Sequence, residues 1–257
     1  EEPTFENTIE AMEVAGQTLN NVAGIFYNLM EADTNDEMQQ IAEQISPMLN
    51  EYSMYVSLNP DLFQKVKAVY EKKDELGLAP DQMKLLEDNY KGFVRGGANL
   101  SDADKELYSK WSEELSLLTL QFSRNVLAAT NAYVLNITDE AELAGLPEFV
   151  RTMAAETAAE KGLEGWAFTL DAPSYSPFLK YSTERDLRKQ IWTAYNTRSI
   201  GGENDNTEIV KKIVDLRIKI ANILGYETYA DYALEERMAK NKLTVNEFIK
   251  DLLEPSM

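Results

Sequence analysis

Stretch after stretch of this sequence repeats apolar side chains at steps of three, four and seven. Each stretch is bracketed by residues that start or stop a helix. That combination places the apolar groups on one face of an α-helix and excludes the two-residue alternation of strands. Phe5, Ile9, Met12, Leu19, Val22, Phe26 and Leu29 form the first such face. Gly16 and Gly24 weaken this helix but permit close packing. Met38, Ile41, Ile45, Leu49 and Tyr52 form the second, in a segment that Pro47 should kink or divide. Asn59-Pro60 starts a third helix with the face Phe63, Val66, Val69 and Tyr70, and Gly77 ends it. Pro80 opens a fourth, with Met83, Leu86, Tyr90 and Phe93, stopped by Gly96-Gly97. Ser101 and Asp104 start a long fifth, whose seam is Leu107, Trp111, Leu115, Leu118 and Phe122.

The middle of the chain breaks the rhythm. Tyr133–Thr138 and Trp166–Leu170 are short, aromatic and β-branched, and each is expected to be a strand. A helix from Pro147 to Gly162 lies between them. Helices then resume, first with Leu187, Ile191 and Tyr195, then with Ile209, Ile213, Leu216, Ile220 and Leu224 closed by Gly225. A last helix, with Thr244 as its expected cap, carries Phe248, Ile249, Leu252 and Leu253, a face that looks like a segment awaiting a partner, and a terminal helix docked on its own bundle would look similar. No fixed repeat period, low-complexity tract or long linker divides the chain. The expectation is therefore a mainly α, multi-helix bundle with a small β element at about residues 133–138 and 166–170, forming one continuous helical region over residues 1–257.

Composition narrows the chemistry. There are 44 acidic and 25 basic residues, a formal charge of −19. Nucleic acid and anionic membrane surfaces are expected to be excluded, because both require clustered Lys and Arg. No run of about 18 apolar residues is present, so no membrane-spanning helix is expected. The chain has neither Cys nor His. Ordinary zinc sites draw on those two residues, and so do Ser-His-Asp and Cys-His catalysis. No catalytic, cofactor-binding or metal-ligating residue is expected among residues 1–257.

The remaining constellations have plain explanations. Glu113-Glu114, Asp139-Glu140 and Glu235-Glu236 are adjacent in sequence, so each pair points two ways and reads as solvated surface. Gly201–Glu208 (GGENDNTE) lacks the spacing of a calcium loop, and Asp205 or Asn206 capping the next helix accounts for it. Asp33–Glu37 (DTNDE) is read in the same way. Gly96-Gly97 and Gly201-Gly202 match no phosphate-binding loop. Arg185, Arg188, Arg198 and Arg217 have the chemistry to bind a peptide carboxylate, but pairing with local acids is expected. Trp111, Trp166 and Trp192 are expected as core anchors.

Several stretches in order carry a resemblance. They are PTFENTIEAMEVAG, AELAGLPEFVRTMAAETAAEKGLEG, PSYSPFLKYSTERDLRKQIWTAY and DNTEIVKKIVDLRIKIANILGYETYADYALEERMAK. Together they resemble the peptidyl-dipeptidase and oligopeptidase A branch of the thimet-oligopeptidase-like zinc metallopeptidases, family M3, over essentially the whole chain. The resemblance implies the N-terminal part of a neurolysin-like, almost wholly helical fold whose two parts enclose a deep channel. It implies that zinc is held elsewhere, by a His-Glu-x-x-His helix in a C-terminal catalytic half. No zinc ligand can be carried over to a position here. It further implies that this chain starts inside the family's usual start, and that it walls a channel admitting short unfolded peptides, from which the whole enzyme releases dipeptides. Its partner would be its own missing catalytic half, and the chain alone would be inactive. The expected compartment is the cytoplasm, with the periplasm as the alternative.

Two competitors stand beside this one. A stand-alone acidic helical interaction module predicts a finished, polar surface. A carboxylate-based hydrolase predicts two buried, converging acids.

Overall fold

The computed structural model describes residues 1–257. Thr4 opens the first helical run, its hydroxyl accepting the Asn7 N–H at 3.1 Å while Asn7 Oδ1 accepts the Thr4 N–H at 2.8 Å. A π-helical turn, Phe5–Glu10, leads into α1 (Ala11–Val14). Gly16, at φ +77°, then breaks what the apolar spacing predicts as one helix. The helices α2 (Gln17–Ala32), α3 (Asp36–Ser57), α4 (Pro60–Glu71), α5 (Pro80–Arg95) and α6 (Asp102–Ala132) follow. Next come β1 (Leu135–Ile137), α7 (Glu148–Glu160) and β2 (Trp166–Phe168). The chain finishes with α8 (Ala172–Tyr181), α9 (Arg185–Thr197), α10 (Thr207–Ile223), α11 (Tyr229–Leu234) and α12 (Lys242–Ser256). The protein is mainly α with one two-stranded sheet. No helix is long and apolar enough to cross a membrane.

Several helix starts have a local chemical cause. Asn35 Oδ1 accepts the Met38 N–H, and Asn59 Oδ1 accepts the Leu62 N–H, both at 2.9 Å. Ser101 accepts the Asp104 N–H at 3.2 Å. These bonds satisfy donors that the first helical turn leaves unpaired. α12 is capped by Asn241, which accepts from Leu243 and Thr244, so Thr244 lies inside the helix rather than at its cap. α3 runs through Pro47 without dividing.

The chain forms two compact units, Glu1–Leu118 with Lys212–Met257, and Thr119–Lys211. In the first, Phe5 and Ile9 pack with Phe63, Val66 and Val69 of α4 and with Leu86 and Phe93 of α5. Tyr70 and Tyr90 stack beside them with ring centroids 3.9 Å apart. Burying each large apolar side chain contributes about 1.5–3 kcal/mol, so the faces of α4 and α5 anchor this unit.

The second unit is built round the sheet. β1 and β2 pair antiparallel, with Leu135 opposite Phe168, Asn136 opposite Ala167 and Ile137 opposite Trp166. Leu135 and Ile137 are buried and Asn136 is exposed, the two-residue alternation of a half-buried strand. Their inner face meets Val150 of α7, Phe178 of α8 and Ile191 of α9. Gly165 sits at φ +83°, where a Cβ would come within 2.2 Å of the Ile137 carbonyl oxygen, so only glycine allows the strands this approach. Trp166 packs on this core. Trp192 does not: its side chain is 54% exposed, because Ile191 beside it takes the inward position on α9.

Candidate functional site

The densest polar arrangement in the first unit surrounds Arg95, the last residue of α5. Its side chain is only 13% exposed. One guanidinium nitrogen donates to the Tyr232 carbonyl at 2.8 Å. Another donates to the Tyr226 hydroxyl at 3.1 Å and forms an ion pair with Glu235. Tyr226 in turn donates to the same Glu235 oxygen at 2.6 Å. The Arg95 guanidinium also lies 4.4 Å from the Tyr232 ring centroid, a cation–π geometry. Next to it, Lys91 pairs with Glu236.

The electrostatics follow from these contacts. The Tyr226 hydroxyl, with Arg95 and Lys91, holds the Glu235 carboxyl below its ordinary range. Partial burial, reinforced by the bond to Glu235, pushes the Tyr226 phenol upward. Tyr108 of α6 is buried, and its phenol is pushed up to about 12, chiefly by desolvation. Arg95, Glu235 and Tyr226 thus satisfy one another. The arrangement ties α5 to the segment around α11 and leaves no activated nucleophile or base.

Sequence inspection missed this knot. Glu235-Glu236 reads as solvated surface in the sequence, and no pattern there singles out Arg95. The partners lie 140 residues apart in the chain, and helical periodicity reports only local relations. Three of the four arginines singled out earlier also differ from expectation. Arg188 donates to the Ser182 carbonyl at 2.6 Å. Arg198 lies over the Tyr195 ring at 3.8 Å, and Arg217 over Tyr229 at 5.1 Å. Their partners are carbonyls and rings rather than local acids.

Other candidates settle where their chemistry directs. Asp205 Oδ1 accepts from the N–H groups of Gly201 and Thr207, at 2.9 and 3.0 Å, and from the Thr207 hydroxyl at 2.6 Å. These bonds, led by the hydroxyl, lower its pKa. Asn206 is buried and donates to the Phe122 carbonyl at 3.0 Å. The polar loop is therefore the start of α10. Asp139 likewise accepts the Ala141 N–H at 2.9 Å and starts a short 3₁₀ turn. Glu113 and Glu114 are exposed on α6. No group of three or more His, Cys, Asp or Glu stands close enough to hold a metal ion. The residues present therefore do not fit a zinc site.

The other conspicuous surface is apolar. Phe248, Ile249, Leu252 and Leu253 are each more than half exposed along α12, and no residue of that helix is buried. The same holds for α2, none of whose residues is buried.

A sequence model of peptidase family M3 matches residues 178–256. The dipeptidyl carboxypeptidase of Escherichia coli K12 is 35% identical over 253 residues, which cover 98% of this chain and 37% of that protein. Oligopeptidase A of Haemophilus influenzae is 33% identical over 256 residues, 98% of this chain and 38% of its own. An organellar oligopeptidase A of Arabidopsis thaliana is 32% identical over 93% of this chain. The chain belongs to peptidase family M3. It spans little more than a third of the length of these bacterial relatives. The open face of α12 lies within the stretch that the family model matches, and so do Tyr226, Tyr232 and Glu235, the partners of Arg95.

Proposed function

We propose that residues 1–257 are a helical, non-catalytic portion of a zinc-dependent M3 peptidase of the peptidyl-dipeptidase type. In this role they wall a channel that admits short unfolded peptides, and the bond chemistry is supplied by a zinc-binding part outside these residues. The whole enzyme would release dipeptides from peptide C-termini, as the name of the E. coli relative states for that protein. The observation that carries the proposal is the unpartnered face of α12, with Phe248, Ile249, Leu252 and Leu253 open to solvent in a chain without His or Cys. Soluble monomers rarely expose contiguous apolar patches of this kind unless something covers them. A stand-alone interaction module would have a finished polar surface there. A carboxylate hydrolase would need converging buried acids, and none of the adjacent acid pairs is buried.

The test is cleavage of a blocked tripeptide that reports dipeptide release, with zinc added. The purified 257-residue chain should give none, and the longer protein should give chelator-sensitive cleavage. Chelator-sensitive cleavage that follows the short chain through purification would overturn the proposal. Equal stability of Phe248→Ser in the short and long proteins would remove α12 as the covered face.

A further inference from the structure

Arg217 lies on α10, in the unit formed by Glu1–Leu118 and Lys212–Met257. Its Nε is buried without a hydrogen-bond partner, and it is the one charged group among the buried polar atoms left so. Arg95, Arg151, Arg188 and Arg198 each donate at least one guanidinium hydrogen bond. Arg217 donates none, and no acid pairs with it in a chain that has 44 of them. Its guanidinium instead lies over the Tyr229 ring, 5.1 Å from the centroid. We propose that Arg217 is a carboxylate-binding residue whose ligand is the C-terminal carboxylate of a short peptide.

A half-buried guanidinium has lost part of its water and needs acceptors in return. A ring face attracts the charge but offers no oxygen to the fork of N–H donors. That fork matches a carboxylate through two parallel hydrogen bonds. Arg95 shows the complete arrangement in the same cluster. The Tyr229 and Tyr232 rings are 6.0 Å apart, and Arg95 lies over Tyr232 as Arg217 lies over Tyr229. At Arg95 the acid is present, in Glu235. Arg217 has the aromatic half and lacks the acid. The surroundings narrow the ligand further. Tyr229 also lines an open concavity of about 750 Å³ with Leu234, Arg237 and Met238. Arg237 is exposed and makes no ion pair, and the Met238 side chain is fully exposed. Free cations beside apolar walls suit a peptide end that carries one negative charge and an apolar side chain. An inorganic anion would gain nothing from Leu234 or Met238. The chain's charge of −19 repels anions at long range. At about 0.15 M salt that field is screened beyond about 8 Å, so the adjacent cation decides.

The inference rests on the peptidase role proposed above, but its test reads binding apart from cleavage. The Nε–H resonance of Arg217 is followed by ¹⁵N NMR in the 257-residue chain. The probes are N-acetyl-alanyl-phenylalanine and the same dipeptide with a C-terminal amide. The free carboxylate should shift the resonance with a Kd on the order of 1 mM, and the amide should not. Arg217→Met should abolish the binding. Arg217→Lys should weaken it at least ~10-fold, because an ammonium cannot form the fork. Both variants should keep their Tm within about 4 °C of the wild type, since neither strands an acid. In the longer protein, Arg217→Met should lower kcat/KM at least ~10-fold more for a tripeptide with a free carboxylate than for its C-terminal amide. An equal response to carboxylate and amide overturns the inference, as does undiminished binding by Arg217→Met. If Arg217→Met lowers the Tm of the longer protein alone and leaves the preference for carboxylate over amide intact, the guanidinium belongs to an acid of the protein itself, which also overturns it. Peptide cleavage by the short chain would sink the non-catalytic role while leaving the binding result to stand or fall by itself.

Discussion

Arg95 shows how much one side chain can organise. Its donors are shared among a carboxylate, a phenol and a main-chain carbonyl, so removing it takes a donor from three acceptors at once. Hydrogen bonds to charged groups contribute more than neutral ones, but Glu235 is 40% exposed and solvent screens its pairing. Arg95→Met should therefore cost about 1–2 kcal/mol in urea unfolding. The pH dependence has a defined sign. A carboxyl held low in the folded state stabilises it fully above the ordinary carboxylate pKa, and loses that contribution as pH falls through the lowered value. Arg95→Met should therefore unfold with a shallower acid limb than the wild type. Tyr226 and Tyr108 act at the other end. Their raised phenols contribute below the ordinary tyrosine pKa, and that contribution is lost as pH rises, for Tyr108 through about 12. None of this was legible in the sequence. Glu235 lies next to another acid, and nothing local distinguishes a carboxylate that meets an arginine 140 residues away from one that meets only water.

At the scale of elements the sequence was far more legible. Asn59-Pro60 marks the start of α4, because an Asn side chain can accept the orphan N–H of Leu62 and proline needs no donor at the first helical position. Asn59→Ala should destabilise the protein by about 1 kcal/mol, measured by thermal or urea unfolding. The faces of α4, α5 and α9 were read correctly down to Val66, Leu86 and Ile191, all buried. The two strands also fell where aromatic and β-branched residues cluster, although shorter than expected. The first helix was different. Phe5 and Ile9 go inside, while Leu19, Val22 and Leu29 on the same predicted face stay outside. Gly16 in the left-handed region interrupts the helix between them, so the two halves no longer share a face. Periodicity reports that an apolar face exists and says nothing of which body covers it.

The whole molecule carries 44 acidic against 25 basic residues. Compactness brings like charges together, and added salt screens them. Raising NaCl from about 0.01 M to about 0.15 M should therefore increase the Tm of this chain, in spite of weakening exposed pairs such as Lys211–Glu208. Family membership was legible at this scale, since it lies in the order of several long motifs rather than in a catalytic signature. The division into two compact units was not, because α6 and α10 each run across its boundary as one uninterrupted amphipathic pattern. The bare face of α12 has a further consequence inside a cell. Four neighbouring apolar side chains on a terminal helix are the kind of surface that chaperones hold and proteases find. If residues 1–257 are part of a longer protein, as proposed above, a proteolytic cut that separated them from the rest would thus create a fragment with a short lifetime. On the proposed role, the abundance of the whole protein would then depend on both parts being made and kept together.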